Sequence, residues 1–298
     1  MRKIKSGVFG LNEIMDGGII EHSTTVVVGS PGAGKTTFAT QFLRRGLEKG
    51  EDAVFITLDE TPSENIKNAK LMGWEDVEES LENGSLVFVD AGGKQFSNFI
   101  QKELGELVGE WEGHSARIVI DPLTPVLWSV REKYEQRELV AYLLRETRKI
   151  GTVLCTLEEH GEMGDVVSSE MIIPMYLADN VVHLRYRSHE IPERRDLKII
   201  KCRSSKHSRQ WHPYGILKGA GLYLQRQKEE GGPAKAPSAD AEFRRRVDAL
   251  RTRPVRGLTP VEMNSIHRTL ETLASETFRG IEPSELLDMI LEEYDLDG

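Results

Sequence analysis

The chain has little cysteine: two thiols, Cys155 and Cys202, in 298 residues. They sit far apart in apolar, strand-like segments. That reads as free buried thiols in a reducing cytosol, although spacing alone leaves one bridge open. Zinc-type spacing is also missing. The eight histidines are scattered, and neither the His183–His189 nor the His207–His212 spacing suits a helical metal face, so no zinc site is expected. No apolar run reaches the ~18–20 residues of a membrane span. The opening "MRKIKSGVFG" is basic but has no apolar core of a secretory signal, which gives a cytoplasmic expectation. Net positive charge is absent as well. The balance is −9, which disfavours attraction to a polyanion over the whole surface and leaves room only for a local basic patch.

What is present is a phosphate loop. The stretch "VVVGSPGAGKTTFATQF" places Gly29, Gly34, Lys35 and Thr36 in the G-x-x-x-x-G-K-[ST] spacing. Several backbone N–H groups must aim at one phosphate, and only residues with little or no Cβ allow so tight a wrap. Gly29, Ser30, Pro31, Gly32, Ala33 and Gly34 form that wrap, and Lys35, Thr36 and Thr37 open the helix behind it. The helix N-terminus adds free N–H groups and partial positive charge. Lys35 is placed to reach the outer phosphates, and the Thr36 hydroxyl to ligate Mg²⁺, so ATP and Mg²⁺ are the expected ligands. The competing reading is a chance glycine loop. An apolar strand before it and a helix-compatible run after it argue against that.

Strand and helix signals alternate up to about residue 226. Strand-like runs cover 24–28, 53–58, 85–89, 117–120, 152–156, 180–184, 197–201 and 221–224. Helix-like runs cover 36–49, 62–72, 96–112 and 134–150. The near-continuous apolar strands and the alternation predict an α/β fold with a mainly parallel sheet covered by helices. The last strands lack long helices between them and are expected to form an antiparallel edge. A charged, then Gly/Pro/Ala/Ser-rich stretch marks a linker at 227–241. Residues 242–298 then read as a small all-helical extension. Six arginines lie between Arg244 and Arg256, and Thr259 with Glu262 has the form of a capping box. Leu286, Leu287, Ile290 and Leu291 make an apolar stripe that must be buried somewhere.

Cleaving ATP needs Mg²⁺ held in place and a group that orients water, both at the carboxyl ends of neighbouring strands. Asp121 ends the apolar "RIVID" and is the expected Mg²⁺ carboxylate, against the plain reading of an Asp-Pro turn. Asp59 and Glu60 end "VFITL" and are candidate bases. The same stretch also suits a helix start, with Thr61 as cap, Pro62 next and Glu64 third. Glu158 and Glu159 end "TVLCTL" as a further candidate pair for sensing the phosphate.

These residues carry a family resemblance. "SGVFGLNEIMDGGI", "ITLDETPSENIKNAKLMGW", "RIVIDPLTPVL", "ADNVVHLRY" and "LKIIKCRSSKHSRQWHPYGI" resemble, in order, the motifs of the KaiC group of the RecA superfamily, from about Lys5 to Leu224. The resemblance implies a RecA-type P-loop core, domain 1–226, often assembled as a hexameric ring with ATP between subunits. It implies that Asp59 and Glu60 are paired catalytic carboxylates. It also implies that Lys201 and Arg203 point at a neighbour's phosphate, as an arginine finger does; otherwise they would read as a solvated basic strand. There are departures. Asp59 stands for the more usual Glu, Asn12 for a frequent Asp, and Ser204 for a Gly. "PMYLADN" has Tyr176 and Leu177 where the group's clock protein phosphorylates itself on a Ser-Thr pair, so no autokinase of that type is expected.

The resulting expectation is a slow regulatory ATPase, assisted in trans, with the tail reading its state to a protein partner. A nucleotide-switched scaffold that barely hydrolyses and a DNA recombinase are the alternatives. The segment "EEHGEMGDVVSSE", where a recombinase faces DNA, has five carboxylates and no Lys or Arg, which makes nucleic acid a poor partner.

Overall fold

The computed structural model describes residues 1–93, 95–159, 169–187, 194–225, 246, 258–275 and 281–296. The linker at 227–241, most of the acidic segment after Glu159 and all of the arginine cluster except Arg246 lie outside them.

Among the described residues, nine strands form one sheet in the order β11-β10-β9-β8-β3-β7-β6-β4-β5. The middle is parallel: β3 (Thr24–Gly29), β4 (Ala53–Thr57), β5 (Leu86–Asp90), β6 (Ala116–Asp121), β7 (Gly151–Glu158) and β8 (Asn180–Arg187). Three antiparallel strands extend one edge: β9 (Arg194–Cys202), β10 (His212–Leu217) and β11 (Gly221–Leu224). A two-residue pair, β1 (Lys3–Ile4) with β2 (Ile19–Ile20), stands apart from the sheet.

Alternate residues of β3 go to opposite cores. Val27 joins Phe38, Phe42, Phe55 and Trp74 on the face covered by α2 (Lys35–Glu48). Val26 and Val28 join Ile118, Ile120, Leu143 and Leu144 on the other face. Both faces are covered, which is why the strands read as unbroken apolar runs.

Two expectations change in detail. The helix expected over 96–112 is broken into α5 (Gln95–Asn98), a π-helical turn Phe99–Glu103, and α6 (Leu104–Trp111). Phe99 and Leu104 are both fully buried. Five residues apart, an α-helix would set them roughly 140° apart; the wider π turn brings both onto the core. Strand β10 was not expected, because "HPYGIL" holds a proline and a glycine that read as a turn. Gly215 is there for room: a Cβ would lie 2.3 Å from the Tyr223 hydroxyl on β11.

The tail helices, Pro260–Ser275 and Pro283–Glu293, fold back on this edge. The expected capping box forms, with Glu262 N donating to Thr259 Oγ1 at 3.1 Å and Thr259 N to Glu262 Oε2 at 2.9 Å. The apolar stripe is also buried: Leu286, Leu287, Ile290 and Leu291 pack with Ile266 and Leu270 against Phe9, Ala220 and Tyr223.

Candidate functional site

The loop after β3 turns tightly because two residues adopt left-handed backbone, Gly32 at φ 76 and Gly34 at φ 89. There is no space for larger residues either. A Cβ on Gly34 would lie 2.6 Å from Ile216 Cδ1, and one on Gly29 2.5 Å from Leu184 O. The antiparallel edge braces the loop: the Tyr214 hydroxyl on β10 donates to Ala33 O at 2.7 Å, and the Tyr186 ring backs Gly32. Lys35 Nζ donates to Ser30 O at 3.2 Å. Burial lowers its pKa, opposed by the negative charges of Glu158, Asp121 and Glu159. Those three are therefore the carboxylates that face the loop.

Asp121 is buried, and burial raises its carboxyl, opposed by hydroxyls of Thr156 and Thr36 and by the charge of Lys35. Thr156 Oγ1 donates to Asp121 Oδ1. Thr36 and the β6 carboxylate thus stand close together at the loop. A hard cation with oxygen ligands fits that donor set, Thr36 and Asp121, beside a glycine-lined phosphate cradle.

Register sets the rest. Thr57 lies opposite Asp121, so Asp59 and Glu60 follow β4 on the same edge. The capping box on α3 (Pro62–Leu71) forms fully, with Thr61 as cap and Glu64 closing it. Glu64 is thereby consumed, and Asp59 and Glu60 remain exposed. Glu60 is held by Asn68 Nδ2 at 3.4 Å. Its carboxyl is raised by partial burial and by the charges of Asp121, Glu64 and Asp59. Glu60 thus lies in the electrostatic field of Asp121.

Glu158 and Glu159 also reach the loop. Glu158 pairs in register with Gly29, its N–H donating to Thr124 Oγ1 at 3.0 Å, and Glu159 N donates to Gly29 O at 3.0 Å. Glu159 Oε2 lies 3.3 Å from Nε2 of His183, a fully buried histidine packed edge-on to Trp211. Thr156, Tyr214 and His183 were missed by the sequence reading. Thr156 and His183 sit in ordinary strand patterns, Tyr214 in a segment that carries turn signals, and no spacing marks any of them.

Lys201 and Arg203 lie elsewhere. Lys201 pairs with Val181, at the end where β8 begins, while the phosphate loop leaves β3 at its opposite end. Lys201 Nζ donates to the carbonyls of Met175, Tyr176 and Ala178 at 3.0, 2.9 and 2.6 Å. Arg203 Nη2 reaches Tyr176 O at 3.2 Å. Both cations cap the C-terminus of the helix Ser169–Leu177, a favourable place for positive charge. Neither belongs to the loop's own cluster.

A glycine-lined loop opening a helix, Asp121 close to its Thr36, and carboxylates on the adjacent strand ends define a P-loop ATPase of RecA type. A family model described as "ATPase: KaiC" matches residues 4–229. The chain belongs to that family. It is 30% identical over 233 residues to the circadian clock protein KaiC3 of Synechocystis sp., an alignment covering 75% of this chain and 46% of that protein. It is also 30% identical over 240 residues to the UPF0273 protein MK0039 of Methanopyrus kandleri, covering 72% of this chain and 89% of the relative. Among solved structures, the KaiC-like protein PH0186 of Pyrococcus horikoshii superposes with a TM-score of 0.63 at 29% identity, over 75% of this chain and 98% of that one. The chain spans under half the length of the clock proteins it matches.

Proposed function

We propose that the protein is a slow, Mg²⁺-dependent ATP hydrolase with a regulatory role, completed by a second copy of the chain. The observation that carries this is the glycine-lined loop with Asp121 close to its Lys35 and Thr36, and with Glu60 following β4 on the sheet edge where β6 ends in Asp121. Gly29, Ser30, Gly32, Ala33 and Gly34 offer the phosphates backbone N–H groups, Pro31, which has none, completes the wrap, and Thr37 continues the helix start. Thr36 and Asp121 would hold Mg²⁺, which supplies charge neutralisation for the phosphate oxygens when bound. Glu60 accepts the proton of the attacking water, its carboxyl raised by partial burial and by its carboxylate neighbours. Asp59, one methylene shorter than the residue the family resemblance suggests, plays the lesser part.

Lys201 and Arg203, too far along the sheet to serve their own loop, would meet the phosphate of an adjoining subunit in a ring or other oligomer. Hydrolysis then depends on assembly, and hexamers are the form the family resemblance implies. Without a Ser-Thr pair at Tyr176 and Leu177, self-phosphorylation of the clock type is not part of this reading. A protein partner of the tail would meet its polar side or displace it, because the apolar stripe is already covered by Phe9 and Tyr223.

The test is steady-state phosphate release from Mg-ATP across protein concentration, beside Lys35→Ala and Glu60→Gln. Turnover that rises with concentration and falls in both variants supports the reading. Tight ATP binding with no release above the Lys35→Ala background replaces it with a nucleotide-switched scaffold.

A further inference from the structure

We infer that the C-terminal helical pair is a regulatory partner carried within the chain, its docking and nucleotide binding linked through the two ends of α2. The linkage rests on the reading of the phosphate loop as the nucleotide site.

Helix α2 begins at Lys35 and Thr36 and ends in Arg44, Arg45 and Glu48. Its far end is fixed by buried charge, and the tail supplies much of it. Arg45 Nη1 meets Glu262 Oε1 at 3.1 Å and its own-helix Glu48 Oε2 at 3.2 Å. Arg45 Nη2 donates to Glu293 O at 3.0 Å, and the guanidinium lies 4.1 Å from the Tyr294 ring centroid. The Tyr294 hydroxyl donates to Glu48 Oε2 at 2.8 Å, Ser265 Oγ donates to Glu48 Oε1, and Thr259 Oγ1 donates to the Glu48 carbonyl at 3.2 Å. The tail therefore caps the C-terminus of the helix whose N-terminus receives phosphate.

The family's domain ends before these helices. The family model ends at residue 229, and three quarters of this chain already covers 98% of the solved relative. The tail is thus an addition to the family's domain, held by ion pairs and an apolar face, and the linkage requires that it exchange between docked and undocked states. Undocking would strip Arg45 of Glu262 and Glu293 and free the last turn of α2. Docking orders that helix in advance, so nucleotide binding has less ordering left to do. Linkage requires the converse in equal measure: bound nucleotide tightens the tail.

The experiment is hydrogen exchange of the amides in Pro283–Glu293 of the full chain, with and without Mg-AMP-PNP. It is paired with Mg-AMP-PNP affinity in wild type, Glu262→Gln and Tyr294→Phe. The expected result is slower tail exchange with nucleotide, and variants that loosen the tail while weakening nucleotide binding about five-fold or more. Protection of β6 serves as the check that the core stays folded. Nucleotide binding that leaves tail exchange unchanged overturns the linkage alone. So do variants that loosen the tail at unchanged affinity. No binding of Mg-AMP-PNP by wild type overturns the nucleotide reading and the linkage together.

Discussion

At the scale of single residues, Glu60 and Glu293 show what environment does to a carboxylate. Glu60 sits near three like charges and stays partly open to water, which suits a base. Replacing it with Gln should lower turnover about 10²–10⁴-fold, the usual range for a positioned base, with ATP affinity kept. Single-turnover phosphate release beside a binding titration separates the two effects. Asp59→Asn should cost less.

Glu293 is buried, and its carboxyl is raised to about 7 although Arg45 Nε stands 3.5 Å away. Burial outweighs the charges of Arg45, Lys5 and Arg117 and the Gly7 N–H that favour ionisation. Glu262, in the same cluster, goes the other way: burial raises it, but Lys49, the Thr259 N–H and Arg45 outweigh that and bring it below its usual value. Asn12 Nδ2 donates to Glu293, Lys5 pairs with Asp295, and Glu48 lies across Arg45. A carboxyl raised by folding binds its proton more tightly when docked. Its contribution to stability is therefore full below the ordinary glutamate range and is lost as pH rises toward 7. Thermal melts of wild type against Glu293→Gln should differ more steeply with pH between 5 and 7 than between 7.5 and 8.5. Parallel melting curves over the whole range would rule out Glu293 as the titrating group.

At the scale of elements, the phosphate loop depends on strands far away in sequence. Tyr214 on β10 holds the Ala33 carbonyl. Tyr214→Phe should weaken Mg-ATP binding about five-fold, the effect of one hydrogen bond of ~1 kcal/mol, with the fold intact by circular dichroism. The parallel strands were legible because their apolar runs are continuous, and the loop because glycine, lysine and threonine must stand at fixed offsets. Strand β10 was not, since Pro213 and Gly215 carry turn signals that only sheet pairing overrides. The π turn at Phe99 was hidden for a related reason: periodicity counts turns of one size. The tail's helices were legible from a capping box and an apolar stripe. Their resting place was not, because it depends on Arg45, which in the sequence looks like one more solvated charge on α2. Arg45→Ala should remove the guanidinium that the buried Glu48, Glu262 and Glu293 share and destabilise the chain by about 3–5 kcal/mol, read as a fall in melting temperature.

For the whole molecule, one sheet holds two sets of charged groups at opposite ends. Lys35, Asp121 and Glu60 gather where the parallel strands finish; Lys201 and Arg203 gather where β8 starts. If the second set serves a neighbour, Arg203→Ala and Lys35→Ala chains are each inactive alone but recover part of the turnover when mixed, because some interfaces then join an intact loop to an intact cation. A mixture no more active than the sum of its parts would place both sets in the service of a single subunit.

Asn12 has a consequence for how such a protein can be rearranged. Its amide holds Ser6 N at 2.9 Å on one side and the Glu293 carboxylate on the other. With aspartate there, as the family resemblance often has it, two buried acids would meet. The extension is therefore not a cassette. Transplanted onto a relative, it would need Asn12 and Arg45 to travel with it, and a descendant that shed it would keep two residues shaped for a segment it no longer has.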